Sequence, residues 1–477
     1  MLLRDGRLGD VSEEVLSYIS SRDADKRIFE ADLMVDRAHL VMLREQGLIP
    51  EDDCSRILSA LRDIKESDLG DGEDVHEALE AKIISRVGSL GGRMHTGRSR
   101  NDEVATCIRV ALRDEMLGLM EELLSLIETA VSLAGEHSET LIPGFTHTQH
   151  AQPTTLAHHL LAHADAFTRD LERLTDAYSR VNLSPLGAAA FASTGFRMDR
   201  NRTCELLGFD GLIENSMDAV STRDFALEVL SDLAILMINL SKAAEELILW
   251  STSEFCYLEL DNRYASTSSI MPQKKNPDTA ELARAKAGSV IGSLVSALTI
   301  CKALPMSYNR DFQELTPNLW RGVDWARSTV RILNGCLSTV KFNTLRLYEC
   351  SGAGFSTATE IADSLVRATG IPFRTAHQIV GRLASRGSNP TLEELDEAAL
   401  DLAVAKPSCQ GFTRSMLEMA LDPRSNVALR DGTGGPAPAE TERMISDRVF
   451  RTEVLADMIR SKRQKVEVAM DGLRQVQ

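Results

Sequence analysis

The segment Ser268–Asp278 concentrates side chains that could bind or transform a charged ligand; it reads Ser-Ser-Ile-Met-Pro-Gln-Lys-Lys-Asn-Pro-Asp. Asn276 suits a helix N-cap, Pro277 suits the first helical position, and Asp278 suits the positive end of a helix dipole. The sequence therefore predicts a polar, lysine-rich loop that leads into a helix N-terminus, a place where carboxylates and phosphates bind. An ordinary loop-to-helix junction with exposed lysines is the alternative, and the length of the polar run disfavours it.

Two more segments are dense in polar and titratable groups. The first is His95–Asp102 (His-Thr-Gly-Arg-Ser-Arg-Asn-Asp), and the second is Gly144–Pro153 (Gly-Phe-Thr-His-Thr-Gln-His-Ala-Gln-Pro). The basic residues Arg98 and Arg100 of the first segment favour a pocket for a small anion in a chain that is acidic as a whole. Ser99–Asp102 also has the residue types of a capping box before a helix, which is the structural alternative to a ligand contact.

Histidines cluster within and just after the second segment, at His147, His150, His158, His159 and His163. Histidine is the natural proton carrier near neutral pH. His159 and His163 are four residues apart, a spacing that can bind zinc from one face of a helix. No Glu-x-x pattern or cysteine completes this pair in the sequence. We therefore expect no metal, and we interpret His158, His159 and His163 as helix-surface or interface residues.

The Gln-Lys-Lys-Asn-Pro-Asp part of Ser268–Asp278 resembles the signature loop of the fumarase/aspartase superfamily, in the form typical of argininosuccinate lyases. His95–Asp102 and Gly144–Pro153 resemble the two other signature segments of that family, in the same order and at the same spacing. Weaker similarity extends over nearly the whole chain. The resemblance implies an enzyme that reversibly eliminates fumarate from argininosuccinate to give arginine, the last step of arginine biosynthesis.

Such an elimination needs a base for the Cβ proton, a cationic group for the aci-carboxylate, and an acid for the leaving nitrogen. Ser268 is the candidate base, with Lys274 and a nearby helix N-terminus stabilising its alkoxide. The resemblance gives Lys274 the role of stabilising the intermediate and makes Asn276 a substrate contact. Thr146 and His147 are the candidates on the acid side, and the sequence leaves open which of them delivers the proton. This chemistry requires no cofactor.

The neighbours of these candidates receive structural interpretations: a turn or cap for Ser269, and a solvated or salt-bridged side chain for Lys275. Thr316 departs from the family pattern, since animal relatives carry a substrate-binding lysine there. A tyrosine hydroxyl and a glutamine carbonyl supply the acceptors that a substrate guanidinium needs. By resemblance, the expected substrate-binding residues are Ser21, Ser99, Asn101, Arg223, Asn276, Tyr308 and Gln313.

Composition narrows the class of protein. The formal net charge of −17 argues against nonspecific binding to nucleic acid or to an anionic membrane. The 8 cysteines are widely spaced without a Cys-x-x-Cys pair, which is typical of reduced, mostly buried thiols in a cytoplasmic protein. Met1–Asp10 lacks the apolar run of a signal peptide, and no apolar run is long enough to span a bilayer.

The elements that must position these groups are predicted to be helices, because strand signals are scarce and helical periodicity dominates. Two apolar seams run along one segment, the first through Ala226, Leu230, Leu233, Met237, Leu240, Ala244 and Leu247, the second through Val229, Leu236, Ala243 and Trp250. A helix with two seams contacts neighbours on more than one side. A similar pattern covers Leu117, Met120, Leu124, Ile127, Val131 and Ala134, with Met116, Leu123 and Ala130 alongside.

We therefore expect an all-α subunit whose long central helices form a multi-helix bundle. The resemblance implies a homotetramer in which subunits share active sites. Chain breaks near Gly88–Gly97 and Cys350–Thr357 predict three domains, at 1–97, 98–349 and 350–477. Two other functions stay open: another succinyl-nitrogen lyase such as adenylosuccinate lyase, or a catalytically silent, crystallin-like structural relative.

Overall fold

Apolar side chains recurring every three or four residues fold most of the chain into helices. A computed structural model describes residues 9, 11–70, 72–384 and 389–476. Over those residues the α-helices are α1 (Glu13–Ile19), α2 (Arg22–Asp25), α3 (Phe29–Glu45), α4 (Glu51–Leu61), α5 (Val75–Val87), α6 (Arg100–Glu136), α7 (Leu156–Val181), α8 (Arg200–Leu206), α9 (Ser216–Ser221), α10 (Asp224–Trp250), α11 (Asp278–Cys301), α12 (Phe312–Leu337), α13 (Thr344–Ser351), α14 (Ala358–Thr369), α15 (Phe373–Ala384), α16 (Leu392–Leu400), α17 (Arg414–Leu421), α18 (Pro423–Ala428) and α19 (Pro438–Gln475). The all-α prediction is confirmed.

The strands are short and lie in separate pairs. They are β1 (Leu141–Thr146), β2 (Gln149–Thr155), β3 (Leu183–Ser184), β4 (Gly211–Leu212), β5 (Leu258–Glu259), β6 (Ser266–Thr267), β7 (Lys275–Asn276) and β8 (Lys341–Phe342). β1 and β2 form an antiparallel hairpin. β3 pairs with β4 in parallel, whereas β5–β8 and β6–β7 are antiparallel and only two residues long.

The core is a bundle of the long helices α6, α7, α10, α11 and α12. α6 runs for 37 residues and α10 for 27. Both predicted seams of α10 are buried, from Ala226 to Leu247 and from Val229 to Trp250, and α10 packs against α7, α11 and α12. The apolar pattern predicted for α6 is buried as well. Within one subunit, the two seams of α10 therefore contact neighbouring helices on more than one side, as their spacing predicts.

A second, smaller apolar cluster is formed by α14, α15, α16 and α17, with Ile361, Leu365, Ile379 and Leu417 fully or almost fully buried. The last helix, α19, follows this cluster in the chain but packs along α6. Its apolar residues Met444, Leu455, Ile459, Val466, Met470 and Leu473 belong to the large core. The C-terminal helix therefore braces the central bundle.

The cysteines among the described residues are free thiols, and five of them are buried: Cys54, Cys107, Cys204, Cys336 and Cys350. The prediction that most of the thiols are buried is confirmed. None of the described helices combines the length and the apolar character needed to cross a membrane. The N-terminal segment Met1–Asp10, apart from Gly9, lies outside the described residues.

Candidate active site

A cavity of about 380 Å³ opens where α5, α6 and α12 approach the segment before α3. Five of the predicted substrate-binding residues line it: Ser21, Asn101, Arg223, Tyr308 and Gln313. They come from four separate stretches of the chain, since Tyr308 and Gln313 are only five residues apart. Asp25, Glu73, Asp74, His76, Arg100, Arg310 and Thr316 also line the cavity. Its wall therefore combines cationic and anionic groups.

Arg223 supplies a cation with free donors. Its guanidinium is buried over the ring of Phe312, 4.5 Å from the centroid, and its Nη1 donates to the carbonyl of Thr222 at 2.8 Å. Within the described part of the chain, its Nε and Nη2 are buried without a hydrogen-bond partner. Burial lowers the pKa of Arg223 to about 10, which leaves it charged at neutral pH. Such a group is suited to receive a carboxylate.

Carboxylates face the cavity from two segments that the sequence did not single out. Ser21 donates from Oγ to Oδ2 of Asp25 at 2.6 Å, and Asp74 accepts from Arg100 at 2.9 Å. Burial raises the pKa of Asp25 above its ordinary value. Glu73, the neighbour of Asp74, also lines the cavity. The signal that could have found these residues is the acidic run Glu73-Asp74 beside His76.

Gln313 does not present a free acceptor. Its Oε1 accepts from Nε of Arg310 at 2.7 Å, and the same guanidinium forms an ion pair with Glu73. Gln313 Nε2 donates to the carbonyl of Ile19 at 3.4 Å. The acceptors expected for a substrate guanidinium are thus occupied by a guanidinium of the chain itself. The nearby Tyr308 keeps its hydroxyl protonated, because burial raises its pKa.

Behind the cavity lies a buried ionic cluster of Asp32, Asp36, His76, Arg98 and Glu103. Nδ1 of His76 lies 2.8 Å from Oδ1 of Asp32, and Arg98 reaches Glu103 at 2.8 Å. Burial raises the pKa of Asp36 to about 7 and that of Glu103 to about 8. Burial alone would lower the pKa of His76, but Asp32 and Glu103 raise it to about 10. The cluster contains three carboxylates and two cationic side chains, so its net charge is zero when one of the carboxylates is protonated.

The start of α6 is held by a capping box, as the structural alternative predicted. Ser99 Oγ accepts from the backbone N–H of Asn101 at 3.3 Å, and Oδ1 of Asp102 accepts from the N–H of Ser99 at 3.0 Å. Oδ2 of Asp102 accepts from the N–H groups of Gly187 and Ala189, at 2.9 and 2.8 Å. Ser99 therefore has a structural role, which leaves its predicted substrate contact a prediction, while Asn101 reaches the cavity.

The lysine-rich loop differs in detail from the prediction. Asn276 is not the N-cap of the following helix, because it pairs with Ser266 in the β6–β7 ladder and α11 begins at Asp278. The ladder uses Asn276 as a strand residue, so its side chain is not the cap. Lys275 forms an ion pair with Glu259 at 2.8 Å, as expected. Lys274 is exposed and has no ion-pair partner among the described residues.

Ser268 has side-chain contacts in the bend that begins at Ser269. Its Oγ accepts from the backbone N–H groups of Ile270 and Met271, at 3.3 and 3.1 Å. Ser269 lies within this bend, and its turn role stays a prediction. Two donors aimed at one hydroxyl oxygen also favour negative charge on that oxygen. The turn contact and the role as a base are compatible for this reason.

Thr146 and His147 lie at the tip of the β1–β2 hairpin, an element that the sequence analysis missed. His147 and Thr148 have positive φ angles of 55° and 58°, and both side chains are exposed. A register shift between Pro143 and Phe145 bends the hairpin. A Cβ at Gly144 would lie 2.5 Å from the carbonyl oxygen of Gln152, so glycine is required there.

The residues predicted to perform the chemistry do not share one place within a subunit. Neither the loop residues Ser268, Lys274 and Asn276 nor the hairpin residues Thr146 and His147 are among those lining the cavity of the described chain. The loop and the hairpin instead present exposed polar surfaces. Within the described chain, the cavity is therefore lined without the loop and without the hairpin that the sequence predicts to carry the chemistry.

Comparisons with known proteins find similarity along nearly the whole chain. Residues 23–292 match the family described as Lyase, and residues 355–428 match the one described as Argininosuccinate lyase C-terminal. Argininosuccinate lyase of Methanothrix thermoacetophila is 65% identical over 476 residues, covering 99% of this chain and 98% of that protein. The Methanosarcina mazei enzyme of the same name is 57% identical, covering 99% and 97%. A solved EDDS lyase variant with bound fumarate is 34% identical with a TM-score of 0.85, covering 94% of this chain and 90% of that one.

Proposed function

Because the chain belongs to the argininosuccinate lyase family of the fumarase/aspartase superfamily, we propose that it is a carbon–nitrogen lyase that reversibly cleaves argininosuccinate to arginine and fumarate. The cavity carries this proposal. It joins Arg223, a buried cation with free donors, to the acidic groups of Asp25, Glu73 and Asp74. Argininosuccinate needs both kinds of partner, since it has carboxylates at one end and a guanidinium with an amino group at the other.

Ser268 is the proposed base for the Cβ proton. The N–H groups of Ile270 and Met271 already point at its Oγ, so part of the stabilisation of an alkoxide is built before substrate arrives. Lys274 lies in the same exposed loop, and closing that loop over substrate would bring its ammonium to the developing aci-carboxylate. Asn276, which the β6–β7 ladder holds at the end of that loop, is a proposed substrate contact.

Thr146 and His147 are proposed to serve the leaving nitrogen from the hairpin tip. Their backbone is held at an exposed turn, with His147 in the left-handed region. A rigid tip positions an acid more accurately than a mobile loop does. His147 is the group of the pair that can carry a proton near neutral pH, and Thr146 can orient it by a hydrogen bond.

We further propose that the active site forms between subunits of a homotetramer. Among the described residues, the cavity lining contains neither the loop residues Ser268 and Lys274 nor the hairpin residues Thr146 and His147, which supports a shared site. The central bundle also leaves large apolar side chains exposed on α10 and α11, namely Ile238, Leu282, Ile291, Val295 and Leu298. Soluble monomers rarely expose a contiguous apolar face, so these residues suit helix packing against another copy. The domain limits 1–97, 98–349 and 350–477 and the cytoplasmic location remain part of this proposal.

The experiment that tests the function follows fumarate by its ultraviolet absorbance. Purified protein should release fumarate from argininosuccinate and not from adenylosuccinate. Ser268→Ala should lower turnover by at least about 100-fold, the usual size of a lost general base, while Ser269→Ala should keep near-normal turnover. Release from adenylosuccinate alone, or from neither compound, would overturn the assignment. Equal rates for Ser268→Ala and the unmodified protein would remove Ser268 as the base.

A further inference from the structure

Three side chains suited to a metal ion converge where α7 packs against α10, away from the cavity. Nε2 of His159 lies 2.7 Å and Nε2 of His163 lies 2.6 Å from the same atom, Oε2 of Glu246. The histidines are one turn apart on α7, and Glu246 faces them from α10. The sequence showed the histidine pair but no third ligand, because Glu246 lies 83 residues beyond His163.

Aromatic side chains hold both imidazole rings in place. The ring of Trp250 lies 4.8 Å from that of His159, and Phe167 stacks on His163 with 6.1 Å between centroids. Fixed rings lose little conformational freedom when they coordinate an ion.

The cluster is open to solvent. The side chains of His159, His163 and Glu246 are 27%, 20% and 37% exposed. Among the described residues, the two histidines are the only ion-pair partners of Glu246. Its neighbour Glu245, in contrast, forms an ion pair with Arg284 at 2.5 Å. A negative charge shared only with two imidazoles favours the uptake of a cation from solution.

We propose that His159, His163 and Glu246 bind a divalent transition-metal ion of the zinc type, which links α7 to α10. Two imidazole nitrogens and a carboxylate oxygen leave a further position for water, the usual arrangement of an open zinc site. Coordination uses the lone pair of each Nε2, so in the loaded site each ring carries its proton on Nδ1. Tetrahedral ligand bonds of about 2.0–2.1 Å place ligand atoms about 3.3 Å apart, so each Nε2 must move about 0.7 Å away from Oε2 of Glu246, which side-chain rotation allows.

A plain hydrogen-bonded triad, with two imidazoles donating to Glu246 and no ion, is the competing explanation. The chain offers close matched controls that separate the two. Glu245 is adjacent to Glu246 but its carboxylate is committed to Arg284. His158 is adjacent to His159, but its ring contacts Thr154 and the Gly434 carbonyl, each at 3.0 Å. Changes at Glu245 or His158 alter composition equally and leave the proposed site intact.

The test titrates the chelator-treated full-length protein with Zn²⁺ by calorimetry, and with Co²⁺ followed by visible absorption. Unmodified protein, Glu245→Gln and His158→Gln should each bind one ion per chain and show the strong visible bands of four-coordinate cobalt. Glu246→Gln and His163→Gln should weaken binding by at least about 100-fold, since loss of an outer hydrogen-bond partner alone costs 10–100-fold. Far-ultraviolet circular dichroism and elution volume check that each variant is folded.

Two results would overturn the proposal. One is that the unmodified protein binds neither Zn²⁺ nor Co²⁺ beyond the level of the Glu246→Gln protein. The other is that Glu245→Gln or His158→Gln weakens binding as much as Glu246→Gln does, which would place the ion elsewhere. His159→Gln provides a second ligand variant if Glu246→Gln does not fold. None of these readouts depends on fumarate release, so they stand apart from the proposed lyase activity.

Discussion

At the scale of single residues, the ionic cluster behind the cavity makes stability depend on pH. The folded chain raises the pKa of Asp36 to about 7, of Glu103 to about 8 and of His76 to about 10. Each group binds its proton more tightly when folded, so its stabilising contribution is present at low pH and lost as pH rises through these values. We expect the unfolding temperature to fall from about pH 4 to about pH 10, and Glu103→Gln to flatten this fall. Scanning calorimetry measures it. Glu121→Gln, at an exposed ion pair, should keep the full slope; a slope unchanged in Glu103→Gln would contradict the argument.

At the scale of elements, one carboxylate fastens the start of α6 to the loop that follows α7. Asp102 accepts from three backbone N–H groups, those of Ser99, Gly187 and Ala189. Asp102→Ala leaves these buried donors without partners and should cost about 3 kcal/mol or more, at 1–3 kcal/mol for each unsatisfied group. Because Asn101 donates to Ala190 in the same loop, the KM for argininosuccinate should rise too. Urea unfolding and steady-state rates measure the two effects. Asp176→Ala, on the exposed face of α7, should change neither; a stable Asp102→Ala protein with normal KM would refute the fastening role.

The elements also show what spacing along the chain can and cannot reveal. The two seams of α10 were predictable because a helix buries residues at fixed local intervals, and that rule does not depend on the rest of the fold. The β1–β2 hairpin was not, since its turn uses His147 and Thr148 at positive φ where glycine or asparagine is usual. Gathering Asp25 and Glu246 into sites depends on long-range packing, for which the spacing of residues carries no signal. Asn276 was expected to cap the following helix, but it pairs with Ser266 in the β6–β7 ladder instead.

At the scale of the whole molecule, the proposed shared site can be tested by mixing inactive proteins. His147→Asn and Ser268→Ala should each be almost inactive alone. A hybrid tetramer contains some sites that take an intact hairpin from one chain and an intact loop from another. Random assembly from equal amounts should restore up to about a quarter of normal activity, measured by fumarate release after co-expression. Each variant co-expressed with itself is the control. Hybrids that form, as shown by two affinity tags, yet stay inactive would place the whole site within one chain.

The side chain of Arg310 already makes contacts in the cavity that a ligand guanidinium would need. Its guanidinium already holds Glu73 and the carbonyl of Gln313, the partners expected for the arginine end of the ligand. A ligand that takes those partners swaps one guanidinium for another, so the count of ionic contacts there hardly changes. This exchange would add little net binding free energy at the arginine end. Selection among amino-acid ligands would then depend on the succinyl end, where Arg223 has hydrogen-bond donors without partners among the described residues. Free arginine, lacking that end, would leave easily after cleavage.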